Sequence, residues 1–231
     1  MKKIAVFGDC ILKGSNSYFY FEDGNIKSGS RTTKDFLNNR EKVVFVDELK
    51  KHYEVKNYCK AYSGLSHSAC RKPWWAEDIM TCNSVVDIIL NTDLSEFDTI
   101  IIFACVNDYR ISPTLGEKSD ITPITPYGAL NMIFKELKDK YSDKEVIFIL
   151  PPFIKDRSDY KSFEEYLQIL KDFIIENGFE YISFYEHIKT FVKKPWHWKL
   201  LFPDGRHPSL DCGHYMCKWL KDRLEDKFPK E

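Results

Sequence analysis

The chain has 231 residues, 43% of them hydrophobic, and its 34 Lys and Arg balance 35 Asp and Glu to a formal net charge of -1. A near-neutral balance without a long basic run argues against a nucleic-acid surface or an anionic-membrane patch. No apolar run approaches the roughly 20 residues that a transmembrane helix needs.

The opening Met1-Lys-Lys-Ile-Ala-Val-Phe7 is too short in its apolar part for a signal peptide, and it runs into Gly8-Asp9 without a cleavage site. It reads instead as a first strand, Ile4–Gly8. Residues 14–33 carry Tyr18-Phe-Tyr-Phe21 ahead of Asp23-Gly24, which predicts an inserted hairpin. A weak helix over Asp35–Lys51 leads to a strand over Tyr53–Tyr58. Residues 65–82 form a polar loop holding Pro73-Trp74-Trp75, followed by a weak helix over Asn83–Asn91. The aromatic residues of both irregular stretches are placed at the sheet's carboxyl edge, where they either flank a ligand or pack on one another or at a subunit contact.

The second half is more regular. Thr99–Cys105 and Glu145–Leu150 are nearly continuous apolar runs, as expected of strands covered on both faces. Leu130, Ile133, Phe134, Leu137 and Tyr141 repeat at helical spacing, as do Phe163, Tyr166, Leu167, Leu170 and Phe173. A strand over Glu180–Phe184 follows, and Cys217, Leu220, Leu224 and Phe228 mark a last helix. The alternation predicts an α/β fold of about five βα units in a single domain, 1–231, with a mostly parallel sheet.

Seven cysteines, an odd number in a chain without an export signal, point to reduced thiols in the cytoplasm. Cys212, His214 and Cys217 lack zinc-ligand spacing, so a metal ranks below that reading.

Three distant fragments carry the chemistry. Gly8-Asp9-Cys10 ends the first strand, Val106-Asn107-Asp108 ends the third, and Asp204-Gly205-Arg206-His207-Pro208 precedes the last helix. The ends of strands one and three are neighbours at the switch point of a doubly wound sheet, and the last loop reaches the same edge. Asp204 at three residues from His207 fixes the imidazole tautomer, leaving His207 as general base and acid for a nucleophile. The Cys10 N–H, the Gly64 N–H and the Asn107 amide are the candidate oxyanion donors. Arg110 and Arg206 are candidates for an anionic substrate group or are simply solvated. Trp196-His197-Trp198 either walls an acyl or sugar pocket or packs against the last helix, and His52, His67 and His187 show no partner pattern.

These blocks resemble the SGNH (GDSL) hydrolase family. Its Gly-Asp-Ser block appears as Gly8-Asp9-Cys10, its second-block glycine as Gly64, its Gly-x-Asn-Asp as Cys105-Val106-Asn107-Asp108, and its Asp-x-x-His-Pro as Asp204 to Pro208. Pro113-Thr-Leu-Gly116, Tyr127-Gly128-Ala129-Leu130, Leu150-Pro151-Pro152 and Gly213-His214 extend the similarity over most of the chain. The resemblance implies a three-layer αβα, flavodoxin-like sandwich with esterase-like chemistry and no metal or organic cofactor. Cys10 stands where the family has its nucleophilic serine, and Cys105 where it has glycine. A thiol beside a histidine is expected as a preformed thiolate–imidazolium pair, and Cys105 as a space filler at a strand end.

The expected function is therefore hydrolysis of a small-molecule or glycan-linked acyl ester or thioester through Cys10, His207 and Asp204, with water or another acyl acceptor completing the reaction. A catalytically impaired module that binds acylated carbohydrate is the alternative. A flavodoxin-like nucleotide binder fits less well, because Cys10-Ile-Leu-Lys-Gly14 supplies one glycine and no hydroxyl for a phosphate.

Overall fold

The computed structural model describes residues 1–14, 16–22, 25–31, 44–60, 63–70, 84–112, 114–155 and 161–227, the segments 16–22 and 25–31 by their backbone only. The chain opens with β1 (Lys3–Phe7) and an antiparallel hairpin of β2 (Asn16–Glu22) and β3 (Asn25–Arg31). It continues through α1 (Phe45–Leu49), β4 (Glu54–Asn57), a 3₁₀ turn (His67–Ala69) and α2 (Val85–Leu90). Next come β5 (Thr99–Phe103), α3 (Val106–Ile111), α4 (Pro126–Lys140), β6 (Glu145–Leu150) and α5 (Phe163–Glu176). The chain closes with β7 (Glu180–Ser183), α6 (Phe184–Lys189), α7 (Pro195–Leu201) and α8 (Leu210–Lys227).

β4, β1, β5, β6 and β7 form, in that order, one five-stranded sheet in which every pairing is parallel. Parallel strands need crossover helices, and right-handed crossovers dictate their sides. The step from β1 to β4 runs one way and puts α1 on one face, beside α8; the steps to β5, β6 and β7 run the other way and put α2, α4 and α5 on the opposite face. Thus β5, Thr-Ile-Ile-Ile-Phe, is wholly buried, whereas edge strand β4 exposes most of its polar side chains. Phe134 of α4 meets Phe148 of β6 and Phe173 of α5, each at 5.6 Å between ring centroids, which locks that helical layer onto the sheet.

Local signals set the longer helices. Thr125 Oγ1 accepts the Gly128 N–H at 3.2 Å and Pro126 opens α4. Ser162 and Glu165 close a reciprocal capping box at α5. The apolar stripe of α8 is buried at Cys212, Met216, Cys217, Leu220 and Leu224.

Several element boundaries differ from those the sequence predicts. The strand expected to reach Cys105 stops at Phe103, because Cys105 is the N-cap residue of α3. The strand expected to reach Phe184 stops at Ser183, whose hydroxyl accepts the Glu186 N–H and starts α6. α3, α6 and α7 were not anticipated, since six or seven residues are too few to display a helical period. The hairpin has the expected place, with Glu22 opposite Asn25; Asp23-Gly24, residues 35–43 of the weak helix, Pro73-Trp74-Trp75 and Cys82 lie outside the described residues. Among the described residues, no helix is long and apolar enough to cross a membrane.

Gly8, the first residue after β1, shows how closely β1 and β5 approach: a Cβ there would lie 2.9 Å from the Phe103 Cβ and 3.3 Å from Leu12 Cδ1. Gly8→Ala is expected to cost about 1–3 kcal/mol through overpacking. The loss should appear in urea unfolding as a lowered midpoint with an unchanged slope.

Candidate active site

The strand order reverses at β1, so the loops leaving β1 and β5 diverge on opposite sides of a crevice at the sheet's carboxyl edge. Cys10 sits in the first loop, Asn107 in the first turn of α3, and the Asp204–His207 loop reaches the crevice just before α8. Cys10 Sγ lies 3.3 Å from His207 Nε2, and His207 Nδ1 lies 2.7 Å from Asp204 Oδ2. The other oxygen of Asp204 accepts the backbone N–H groups of Arg206 at 3.0 Å and His207 at 2.8 Å. Gly205, at φ +79°, supplies the left-handed residue this tight turn requires. One carboxylate therefore fixes both the backbone and the ring of His207.

Two further carboxylates knit the loops together. Asp9 accepts the Ile11 N–H at 2.8 Å and, across the crevice, the Val106 N–H at 3.0 Å. Asp108 accepts the Leu65 N–H at 2.6 Å, the Ser66 N–H at 3.1 Å and the Ser66 hydroxyl at 2.8 Å. Asn107 Nδ2 donates to the Ser63 carbonyl at 2.7 Å. Between these anchors lies Gly64, where a Cβ would come within 2.2 Å of the Ala69 Cβ and 3.0 Å of Asp108 Oδ2. Among the described residues, neither the Cys10 N–H nor the Gly64 N–H donates to another residue. Ser63 and Ser66 escaped the sequence reading, because a backbone carbonyl and a lone serine carry no pattern. Only the proximity of Asp108 and Asn107 gives them a role.

Burial governs the electrostatics. It pushes the Cys10 thiol well above its ordinary range, the Asp9 carboxylate adds to this, and the Arg206 guanidinium opposes it. Burial also pulls His207 below its ordinary 6.5, against the hydrogen bond it donates to Asp204 and with help from Arg206. Asp204, although burial opposes its ionisation, is held below the usual carboxylate range by His207 and the two backbone N–H groups. The expected thiolate–imidazolium pair is thus replaced by a neutral thiol against a neutral imidazole, since a closed site penalises both charges. Desolvation also raises Asp9 to about 7 and Asp108 to about 6 despite their hydrogen bonds. Cys105 is fully buried, its thiol pushed far up by burial and directed at the Phe103 carbonyl 3.3 Å away, as a filler at the strand end would be.

The remaining candidates sort differently. Arg206 is half-buried and Arg110 exposed, and both charges bear on His207. Trp196 is 56% exposed, whereas Trp198 stacks on Phe153 and Tyr185. His67 and His187, without partners by sequence, meet Asp87 and Tyr215, each at 2.7 Å. On α8, Cys212 and Cys217 are buried while His214 is exposed, so the three do not share a face. An open cleft of about 490 Å³ adjoins the site and is lined in part by Asp204, Gly205, Phe153 and Trp198. A second, of about 340 Å³, lies at the amino ends of β6 and β7, away from the crevice.

The raised Asp9 makes a signed prediction. Between 3.8 and about 7 the native state holds a proton that the unfolded chain has released, so this group's stabilising contribution is lost as pH rises through about 7. The stability advantage of the parent over Asp9→Asn should be largest near pH 4 and shrink steadily towards pH 8, measured by urea unfolding across that range.

No protein-family model and no curated protein matches the sequence. Solved structures do match over nearly the whole chain. A lipase/acylhydrolase from Enterococcus faecalis is 17% identical, covers 100% of both chains and superposes with a TM-score of 0.58. A protein described as a GDSL-like lipase from Bacteroides ovatus is 15% identical with a TM-score of 0.54, over 98% of this chain and 99% of that one. A carbohydrate acetylesterase family member from Sinorhizobium meliloti is 14% identical with a TM-score of 0.55, over 97% and 98%. The chain thus has the α/β fold of the GDSL-like lipases and acylhydrolases, at no more than 17% identity to these three.

Proposed function

We propose that residues 1–231 form one SGNH-type domain that hydrolyses a small acyl ester or thioester through a Cys10 acyl-enzyme. The observation that carries this reading is the continuous hydrogen-bonded chain from Cys10 Sγ through His207 to Asp204. The fold shared with a lipase/acylhydrolase and a carbohydrate acetylesterase supports it.

In this reaction Cys10 Sγ attacks the carbonyl carbon while its proton passes to His207 Nε2, so the neutral pair ionises during attack. Asp204 then faces the imidazolium and stabilises it. The carbonyl oxygen gains the negative charge and meets the Cys10 N–H, the Gly64 N–H and the Asn107 amide. Asn107 Nδ2 bears two hydrogens, of which the Ser63 carbonyl takes one. Collapse breaks the bond to the alcohol or thiol, which departs with the proton from His207, and a thioester to Cys10 remains. His207 next deprotonates water, whose attack releases the acid and restores the thiol. An alcohol in place of that water would make the same steps an acyl transfer. Every cysteine among the described residues is a free thiol, which fits a reducing, cytoplasmic setting.

Cys10→Ala is expected to lower kcat/KM on p-nitrophenyl acetate on the order of 10³-fold. Iodoacetamide should inactivate the parent, and quenched turnover should leave an acetyl mass on Cys10. A Cys10→Ala variant as active as the parent would end the proposal. Because protonated His207 cannot accept a proton, activity should fall only on the acid side, with a midpoint below 6.5. The raised Cys10 thiol favours one second reading, a module that binds acylated carbohydrate without turnover. That reading predicts ligand-induced thermal stabilisation, no acyl adduct, and activity regained in Cys10→Ser.

A further inference from the structure

The cleft beside Asp204 is built differently from the reacting centre. Its inner wall is aromatic: Phe153 stacks on Trp198 at 4.8 Å between centroids, Trp198 stacks on Tyr185 at 5.1 Å, and Phe153 lies 5.1 Å from Phe202. Its rim is basic. Lys155 and Lys199 line it, both exposed, and neither forms an ion pair among the described residues. Among the described residues, the one acidic group that lines it, Asp204, is already engaged by His207 and two backbone N–H groups.

The stretch that borders the cleft carries an excess of basic residues. From Lys189 to Arg206 the sequence has five basic residues, Lys189, Lys193, Lys194, Lys199 and Arg206, against the single acidic Asp204, although the whole chain is nearly neutral. The cleft is also joined rigidly to the site. The Lys155 N–H donates to the Gly205 carbonyl at 2.7 Å, and Gly205 is two residues from His207. About 490 Å³ is room for a ring and its substituents.

We propose that this cleft is the subsite for the non-reacting part of the ester, a ring bearing a carboxylate, packed on the Phe153–Trp198 wall and held by Lys155 and Lys199. The proposal names the substrate class of the ester hydrolase reading above and rests on it for turnover, but not for binding. A carboxylate that reaches both ammonium groups gains charge-assisted hydrogen bonds, while the ring gains apolar contact with the aromatic wall. A neutral ring of the same shape gains only the apolar contact.

Two matched pairs test this: phenyl acetate with 4-acetoxybenzoate, and methyl O-acetylglucoside with methyl O-acetylglucuronide. The parent should prefer the acid of at least one pair by about ten-fold in kcat/KM, mainly through KM, and the pair that responds identifies the ring as aryl or sugar. Lys155→Ala/Lys199→Ala should erase that preference by lowering kcat/KM for the acid about ten-fold, towards that of its neutral partner, and added salt should erode it in the parent. Calorimetric binding of 4-hydroxybenzoate and of methyl glucuronide to Cys10→Ala, with and without the two lysine substitutions, is independent of turnover. Lysine-dependent binding of either acid without any turnover would sustain the subsite and sink the hydrolase reading. Turnover with no preference for either acid, or acid binding that survives the double substitution, would overturn the subsite and spare the hydrolase reading.

Discussion

The arrangement of the candidate site depends on one buried carboxylate. Asp9 lies between the loop that leaves β1 and the loop that leaves β5, and accepts a backbone N–H from each. These loops part at the switch point of the sheet, where no strand pairing holds them to one another. Cys10 follows Asp9 directly, and Asn107 follows Val106 directly, so the clamp sets the separation of the proposed nucleophile and the proposed oxyanion donor. Asp108 repeats the device one layer out, tying α3 to Leu65 and Ser66 and thereby fixing Gly64. Three fragments far apart in the chain become one crevice because two short acidic side chains satisfy backbone donors that would otherwise be buried unpaired.

The cost of this construction is charge. Asp9 is fully buried and stands next to Cys10, so it is held near neutral pH and opposes a thiolate at its neighbour. Arg206 acts in the opposite sense on Cys10 but also disfavours the imidazolium of His207. The balance leaves thiol and imidazole both uncharged. As the proposed nucleophile, Cys10 would work under the same constraint as a serine, with its proton moving during attack. That follows from closure of the site rather than from the chemistry of sulfur.

Much of the framework was legible before any coordinates. The central strands announce themselves because burial on both faces demands an unbroken apolar run, as in Ile100-Ile-Ile-Phe103 and Val146-Ile-Phe-Ile-Leu150. The helices α4, α5 and α8 are long enough to show their stripe, whereas α3, α6 and α7 are not. The contacts of His67 with Asp87 and of His187 with Tyr215 join residues 20 and 28 positions apart, and such distances leave no local trace. Trp198 was legible as the wall of an acyl or sugar pocket or as packing against the last helix; it lines the open cleft and stacks on Phe153 and Tyr185.

By itself the sequence determined what short-range rules can fix: the central strands, the longer helices, and the Asp204-x-x-His207 pairing held within one tight turn. Tertiary structure alone decided that Cys10 and His207 meet, that Asp9 bridges two loops, and that the thiol and imidazole rest uncharged. The physical reason is that desolvation belongs to a place and not to a residue. Until distant segments pack and expel water, neither the proximity of two groups nor their protonation is defined.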